Sequence, residues 1–423
     1  MKKFVIVIFT LLTLLEACAP STDKLTFRPD GTFRILQFTD LHLQLFHPDQ
    51  VADVFSRMDS LVRQADPDLI AVTGDLLYSS PADSLMQLIV ARLDSYSRPW
   101  AIVYGNHDHE HGLTLAQLSP IITSGKHSIN TLNAEGTLAD FEIPIYKTPG
   151  RAGGDGKGRH ARPALFRHAR PFIKYRHARP ALYRHARPDR ASFYLFFLDS
   201  HAYSTYNGSF SYAWFEPEQV EWVRHTAGLH PSTPSIAFFH IPFPEYADAA
   251  SLAGLEPDLN VRLYTPAFTG TLGEWVCCPK FNSGMFDAMS QTGFLASFCG
   301  HDHDNDFSAL YRKPAAVSPV ATDTTSDTVM PGLSSNTVIP DPSSNTVMPD
   351  PSSNAVMPDP DRASSRPMLL CYGRYSGSNG EYNHLPKGAR LITLRSDGSL
   401  ETCILDSSGT PSNQVHLDPP LSL

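Results

Sequence analysis

"TFRILQFTDLH" (Thr32–His42) is an apolar, strand-like run that ends on two potential metal ligands, Asp40 and His42. After it, "DQVADVFSRMDSLVRQA" (Asp49–Ala65) has apolar residues three and four apart behind an acidic start, the pattern of an amphipathic helix. The alternation repeats. "DLIAVTGD" (Asp68–Asp75) reads as a strand, "DSLMQLIVARLDSY" (Asp83–Tyr96) as a helix and "WAIVYGNHD" (Trp100–Asp108) as a strand. Such a β-α-β-α-β opening predicts a parallel or mixed sheet with helices on its faces.

Later segments continue the pattern. "SFYLFFLDS" (Ser192–Ser200), "SIAFFHIP" (Ser235–Pro242) and "FLASFCGHDH" (Phe294–His303) read as strands. Helices are expected from about Pro217 to Ala227 and around Gly284–Gln291. "MLLCYGR", "ARLITLRS" and "LETCILD" close the chain as two or three short strands. Asp40, Asp75, Asn106 and His240 each fall just past the carboxyl end of an apolar strand, the edge at which open α/β sheets bind ligands.

Collected in order, the polar motifs are Asp40-Leu41-His42, Gly74-Asp75, Gly105-Asn106-His107-Asp108, His240 and Gly300-His301-Asp302-His303. They offer oxygen and nitrogen donors and no thiolate, which suits cations such as Mn, Fe and Zn. Two metals about 3.5–4 Å apart need a shared anionic ligand, and Asp75 is the natural bridge. Any one of these residues alone also fits a capped turn or a satisfied core polar group. Their conjunction in this order carries the signal.

Those five motifs, with "NSGMFDAMSQTGFLASFCGHDHDNDF", "FFHIPFPEY" and "LLCYGRYSG", resemble the calcineurin-like metallophosphoesterase superfamily. Within it the likeness is to the single-domain branch related to purple acid phosphatases, the dosage-dependent cell-cycle-regulator phosphatase type. The resemblance implies one α/β domain: a four-layer α-β-β-α sandwich of two mixed sheets, with a dinuclear site at its rim. It implies that Asp40, His42 and His303 hold one cation, that Asn106, His240 and His301 hold the second, and that Asp75 bridges. His107 would contact the phosphate and protonate the leaving oxygen, with Asp108 orienting its imidazole, and a metal-bound hydroxide would be the nucleophile. The implied activity is phosphate-ester hydrolysis, monoesters first, on a small molecule or a phosphoprotein. A phosphodiesterase or nucleotidase using the same metals is the nearest alternative. A non-catalytic metal- or polyanion-binding lipoprotein is the alternative of another class.

Purple acid phosphatases place an iron-binding Tyr at the spacing of Tyr78, but His42 would fill that coordination slot here, so Tyr78 is expected to pack as an aromatic. His109, Glu110 and His111 are expected to support the metal ligands from behind or face solvent, with shaping of the substrate site as the alternative. Asn305, Asp306 and Phe307 are expected to support the Gly-His-Asp-His loop. Glu274 and Asn282 lie in a stretch resembling the family's substrate-side loop.

The rest of the chain sets the context. It has 423 residues, 42% hydrophobic, a net charge of −9 and six Cys. "MKKFVIVIFTLLTLLEAC" (Met1–Cys18) reads as a signal peptide whose Leu15 and Ala17 before Cys18 resemble a lipobox, although Glu16 fits it poorly. Export is the expectation, to a membrane-anchored lipoprotein through lipid on Cys18 ahead of plain cleavage and release into the periplasm. Residues 26–423 then form the catalytic domain, interrupted twice. Residues 151–190 repeat RHARP four times and carry 12 Lys/Arg against 2 Asp/Glu; removing that +10 from −9 leaves −19, which argues against a nucleic-acid-binding body. Residues 317–367 repeat a VMPDP-type unit every nine residues.

Both blocks have the composition of disordered segments. CGT CAT GCC CGA CCC encodes R-H-A-R-P, and the same bases shifted by one encode V-M-P-D-P. Both blocks also leave through "PDRAS". One repetitive DNA element inserted twice and translated in two frames accounts for this, and surface connections tolerate such insertions. The Cys count, with no C-x-x-C, favours buried thiols and at most one or two bridges.

Overall fold

The computed structural model describes residues 24–148, 191–314, 366–378 and 382–419. The expected leader with Cys18 and both repeat blocks therefore lie outside the described residues, apart from a few residues at the edge of the second.

The opening alternation folds as read. β1 (Thr32–Phe38), α1 (Pro48–Ala65), β2 (Leu69–Thr73), α2 (Ala82–Ser95) and β3 (Trp100–Val103) follow in order, and the three strands pair in parallel. Pro48 starts α1 without losing a bond the helix could use, and Asp66 closes it in the left-handed conformation. On the far side of β1 the sheet continues antiparallel through β14 (Gly388–Arg395), β15 (Leu400–Asp406) and β16 (Pro411–Leu417), in the order β16-β15-β14-β1-β2-β3.

The second sheet comprises β4 (Phe141–Tyr146), β5 (Ala191–Phe197), β8 (Ser235–Phe238), β9 (Leu263–Tyr264), β10 (Phe268–Gly270), β11 (Phe294–Cys299), β12 (Ser308–Tyr311) and β13 (Met368–Tyr372). Its centre, β5-β8-β11-β13, is parallel and its flanks are antiparallel. Both sheets are therefore mixed.

The layers follow from the two-residue period of the strands. Phe33, Ile35, Leu69, Ala71, Ala101 and Val103 of the first sheet share one buried cluster with Phe193, Leu195, Phe197, Ile236, Phe238 and Phe298 of the second. The alternate residues Leu36, Phe38, Ile70, Val72 and Ile102 face outward and pack with α1, α2 and α3 (Leu115–Thr123). On the other side Phe196, Ala237, Phe239 and Leu370 pack with α4 (Pro217–Gly228), α5 (Glu245–Leu252) and α6 (Met285–Gln291). The result is the α-β-β-α sandwich. Strands that are hydrophobic on both faces are what this stacking demands.

The structure adds elements that the sequence reading did not name. A separate hairpin pairs β6 (Tyr203–Tyr206) with β7 (Ser209–Tyr212) around Asn207-Gly208, both at positive φ (50° and 73°), as a two-residue hairpin turn requires. Helices α3 and α5 and strands β9, β10 and β16 were also unread. Register explains where the repeat blocks enter: Tyr146 is paired with Ala191 and Tyr311 with Met368, so each block joins neighbouring positions of an antiparallel strand pair. The five described cysteines are free thiols.

Candidate metal centre

Every expected metal ligand except His42 and His303, which lie four residues past β1 and β11, lies two or three residues past a parallel strand. Asp40 and Asp75 follow β1 and β2, Asn106 follows β3, and His240 and His301 follow β8 and β11. His303 stands two residues further on. The first sheet thus supplies the carboxylates and the second most of the imidazoles, across the rim where the two carboxyl edges meet. Asp40 (φ 53°), His42 (φ 45°), Asp75 (φ 50°) and His301 (φ 79°) all adopt left-handed backbone, which costs non-glycine residues of order 1–3 kcal/mol each. Hydrogen bonds over-determine the turns: Asp40 N–H donates to Gly74 O (3.0 Å) and His42 N–H to Asp75 O (2.9 Å). Gly105 is required by contact, since a Cβ there would lie 2.1 Å from Asp75 Oδ1.

Two groups of donor atoms result, each gathered within 4.8 Å: Asp40, His42 and His303, and Asp75, His240 and His301. Asp75 links them, with Oδ2 3.6 Å from His42 Nε2 and 3.2 Å from His240 Nε2. His303 Nε2 stands 3.6 Å from Asp40 Oδ1. Asn106 Oδ1 is 3.1 Å from His240 Nε2, which adds the amide oxygen to the second group.

The donor set passes a physical test for cations. His240 Nδ1 sits 2.8 Å from the Thr73 carbonyl, so in the neutral ring Nδ1 carries the proton and Nε2 presents its lone pair. That lone pair meets Asp75 Oδ2, Asn106 Oδ1 and, at 3.3 Å, His301 Nδ1. His301 Nε2 is buried with no hydrogen-bond partner. In this group oxygen and nitrogen atoms able to ligate converge on one point, an arrangement a cation satisfies.

The electrostatics of the site point the same way. Burial disfavours a charged His240, yet Asp75 and Asp40 outweigh it and push the imidazole up to about 10. His42 is likewise raised to about 9 against its burial by Asp40 and Asp75. Burial and the neighbouring His240 hold His301 down at about 3. The two carboxyls stay well below their usual range despite burial, through His303 and His42 for Asp40 and chiefly through His240 for Asp75. Protons on His42 and His240 stand in for the cations.

His107 flanks this centre. Its backbone N–H donates to Asp75 Oδ1 at 2.9 Å, and its ring lies 5.5 Å from that of His42. The expectation that Asp108 orients His107 is corrected. Asp108 is wholly buried, and its carboxylate accepts the N–H groups of Leu76 (2.8 Å), Leu77 (3.2 Å) and Gly105 (2.8 Å). It ties the loop after β2 to the loop after β3. Burial and the nearby Asp75 push its carboxyl up to about 7.

The imidazole is held instead by Glu110, whose Oε2 is 2.7 Å from His107 Nδ1. Glu110 Oε1 in turn accepts from the Tyr203 hydroxyl at 2.8 Å, and that hydroxyl accepts from Asn106 Nδ2 at 2.9 Å. Burial opposes it, but the bonds to His107 and Tyr203 keep the Glu110 carboxyl below its ordinary value. His107, Glu110, Tyr203 and Asn106 form one chain of hydrogen bonds. The sequence carried a partial signal for it, the Asn207-Gly208 turn that announces the hairpin bearing Tyr203.

The remaining expected residues sort clearly. Tyr78 packs with its ring 4.8 Å from His42 and 5.4 Å from His107. His111 Nε2 contacts Leu77 O at 3.1 Å, and the His109 ring lies tilted at 6.0 Å from that of Tyr203. Asn305 Oδ1 accepts from Gly273 and Glu274 N–H, while buried Asp306 accepts from Thr271 N–H and pairs with Arg374 and Arg262. These residues brace the Gly300–His303 loop. Glu274 accepts from Asp304 N–H (2.8 Å) and Asn282 donates to Glu245 (2.8 Å), so both are engaged in holding loops. Glu274, Cys277 and Asp302 also cluster, but Asp302 is already saturated by Tyr372, Asn305 and the Cys277 N–H. A cleft of about 480 Å³ adjoins the rim, lined in part by Gly105, His109, Thr114 and His201.

Probable inactive purple acid phosphatase 28 of Arabidopsis thaliana is 29% identical over 307 residues, 67% of this chain and 68% of that protein. Phosphatase DCR2 of Saccharomyces cerevisiae is 26% identical over 298 residues, 66% of this chain but 45% of that protein. The structure of purple acid phosphatase PPD1 from yellow lupin seeds superposes with a TM-score of 0.40 at 9% identity, over 93% of this chain and 55% of that one. The calcineurin-like phosphoesterase family matches residues 33–305, which carry every expected metal ligand, and this chain belongs to that family.

Proposed function

We propose that the chain hydrolyses phosphate esters, monoesters before diesters, with two cations of the Mn, Fe or Zn kind held by Asp40, His42, Asp75, Asn106, His240, His301 and His303. The observation that carries this is the pairing of two donor groups through Asp75 with an imidazole, His107, placed beside them on its own carboxylate. When bound, such cations supply Lewis-acid activation of water near neutral pH and neutralise phosphoryl charge.

The chain's own residues do the rest. Glu110 engages His107 Nδ1, which leaves Nε2 as the atom that passes a proton to the departing ester oxygen. His107 N–H fixes Asp75 Oδ1, so the shared carboxylate keeps one orientation toward both donor groups. Tyr203 holds the Asn106 amide by its nitrogen and thereby aims its oxygen inward. The name of the Arabidopsis relative describes that protein as inactive; the seven donors and His107 present in this chain support activity here.

The N-terminal sequence Met1–Cys18 supports export, with or without an anchor through Cys18, and the proposed substrate is a phosphorylated small molecule or protein, with no specific nucleic-acid partner. Turnover of p-nitrophenyl phosphate beside bis(p-nitrophenyl) phosphate, after separate loading with Mn, Fe and Zn, tests the proposal. Monoester turnover abolished by Asp75→Asn supports it. Diester preference moves it to a phosphodiesterase. Metal binding without turnover of either ester returns it to a binding protein.

A further inference from the structure

The β6–β7 hairpin does more than position Asn106 and Glu110. In its register Tyr203 faces Tyr212 and Thr205 faces Phe210, so Tyr203, Tyr212 and Phe210 share one face. Their rings form a contiguous group: Tyr203 to Tyr212 at 6.0 Å, Tyr203 to Phe210 at 5.8 Å and Phe210 to Tyr212 at 5.6 Å. That face is joined to the metal centre at two points. Tyr212 stands edge-to-face on His301 at 4.4 Å, and the Tyr203 hydroxyl bonds Asn106 and Glu110. Phe210, next outward on the same face, is 61% exposed and Tyr203 39%. A phenylalanine so exposed gains nothing from the core, and it stands one strand pair out from His301.

We propose that this face is the platform for the leaving group, and that the preferred substrates are phosphate esters whose leaving side carries a planar aromatic ring, aryl or nucleobase. The inference rests on the hydrolytic reading above and narrows its substrate class. A phosphoryl group held beside His301 and Asn106 puts its ester oxygen against their neighbours, and on this flank those neighbours are Tyr212 and Tyr203. A ring there meets π-faces, with Phe210 as the outer contact; a short polyol meets the same rings and gains little. The side chains of this face, Tyr203, Thr205, Phe210 and Tyr212, are all uncharged.

The test uses the full chain loaded with manganese, with phenyl phosphate, a nucleoside monophosphate and glycerol phosphate as substrates. Phe210→Ala is expected to cut the preference in kcat/KM for ring-bearing over ringless esters about 5- to 10-fold, through KM, as the loss of one stacking contact does. Phe210→Trp is expected to keep the preference. Phenyl phosphate and the nucleotide report separately whether an aryl group or a base is the better occupant. Binding of phenylphosphonate and methylphosphonate, which are not hydrolysed, is titrated in parallel.

If no ester turns over but phenylphosphonate binds tighter than methylphosphonate, and Phe210→Ala removes that difference, the platform stands and the hydrolytic reading falls. If esters turn over and Phe210→Ala changes ring-bearing and ringless substrates alike, or neither, the platform is refuted. Equal binding of the two phosphonates by the wild-type chain refutes it as well.

Discussion

Replacing Glu110 by Gln separates a positioning role from a stabilising one. The carboxylate sits 2.7 Å from His107 Nδ1 and accepts from Tyr203 at 2.8 Å. Gln keeps the size and can keep one bond, but it removes the negative charge that engages His107 Nδ1. The two side chains are 29% and 34% exposed, so solvent screens the pair and its loss is expected to change stability by no more than about 1 kcal/mol.

Its effect on turnover is larger. A general acid contributes about 10²- to 10⁴-fold, and losing the residue that orients such a group costs about 10- to 100-fold. Because proton delivery matters most when the leaving oxygen is basic, the loss should concentrate on glycerol phosphate and be small on p-nitrophenyl phosphate. The assay is kcat for both esters, with a thermal melt of each protein. An equal loss on the two esters, or a loss accompanied by a melting shift of ten degrees or so, where about 1 kcal/mol amounts to only a few degrees, would refute the reasoning.

Three further outcomes follow from the same geometry. Metal-free protein should lose stability between about pH 7 and 10. His42 at about 9 and His240 at about 10 both lie above their unfolded value near 6.5, so their contribution is complete below that value and drains as pH rises through the folded ones; melting scans with and without metal check this. Metal addition near pH 7 should for the same reason release protons, which a pH-stat titration reads. Gly300→Ala would put a methyl 1.9 Å from Thr39 Oγ1 and 2.9 Å from the Thr73 carbonyl, and should lower stability by about 1–3 kcal/mol in denaturant unfolding, with metal affinity falling alongside.

Much of the architecture was legible because both sheets are covered on two faces. Runs such as "LIAVT" and "WAIV" are wholly buried, so apolar strands and amphipathic helices alternate plainly along the chain. Helix α3 escaped because Pro120 interrupts its pattern, and the two- and three-residue strands β9 and β10 are too short to show a period. The ligand set was legible because five of the seven donors fall two or three residues past a strand end, and His42 and His303 follow two residues after Asp40 and His301.

The support of His107 was not. Asp108 is adjacent in sequence, but its carboxylate turns toward the Leu76 and Leu77 N–H groups 32 and 31 residues away in the chain. The group that does hold the imidazole is fixed by Tyr203, 93 residues beyond Glu110. Adjacency in sequence is a poor guide where two loops must be tied together, because buried N–H groups claim the nearest carboxylate.

The central claim, two cations shared through Asp75, is tested most directly by a crystal structure of manganese-soaked protein with anomalous scattering measured at the metal edge. Two peaks about 3.5–4 Å apart are predicted, one among Asp40, His42 and His303 and one among Asn106, His240 and His301, both within reach of Asp75. A single peak, or one seated instead among Glu274, Cys277 and Asp302, would contradict the account.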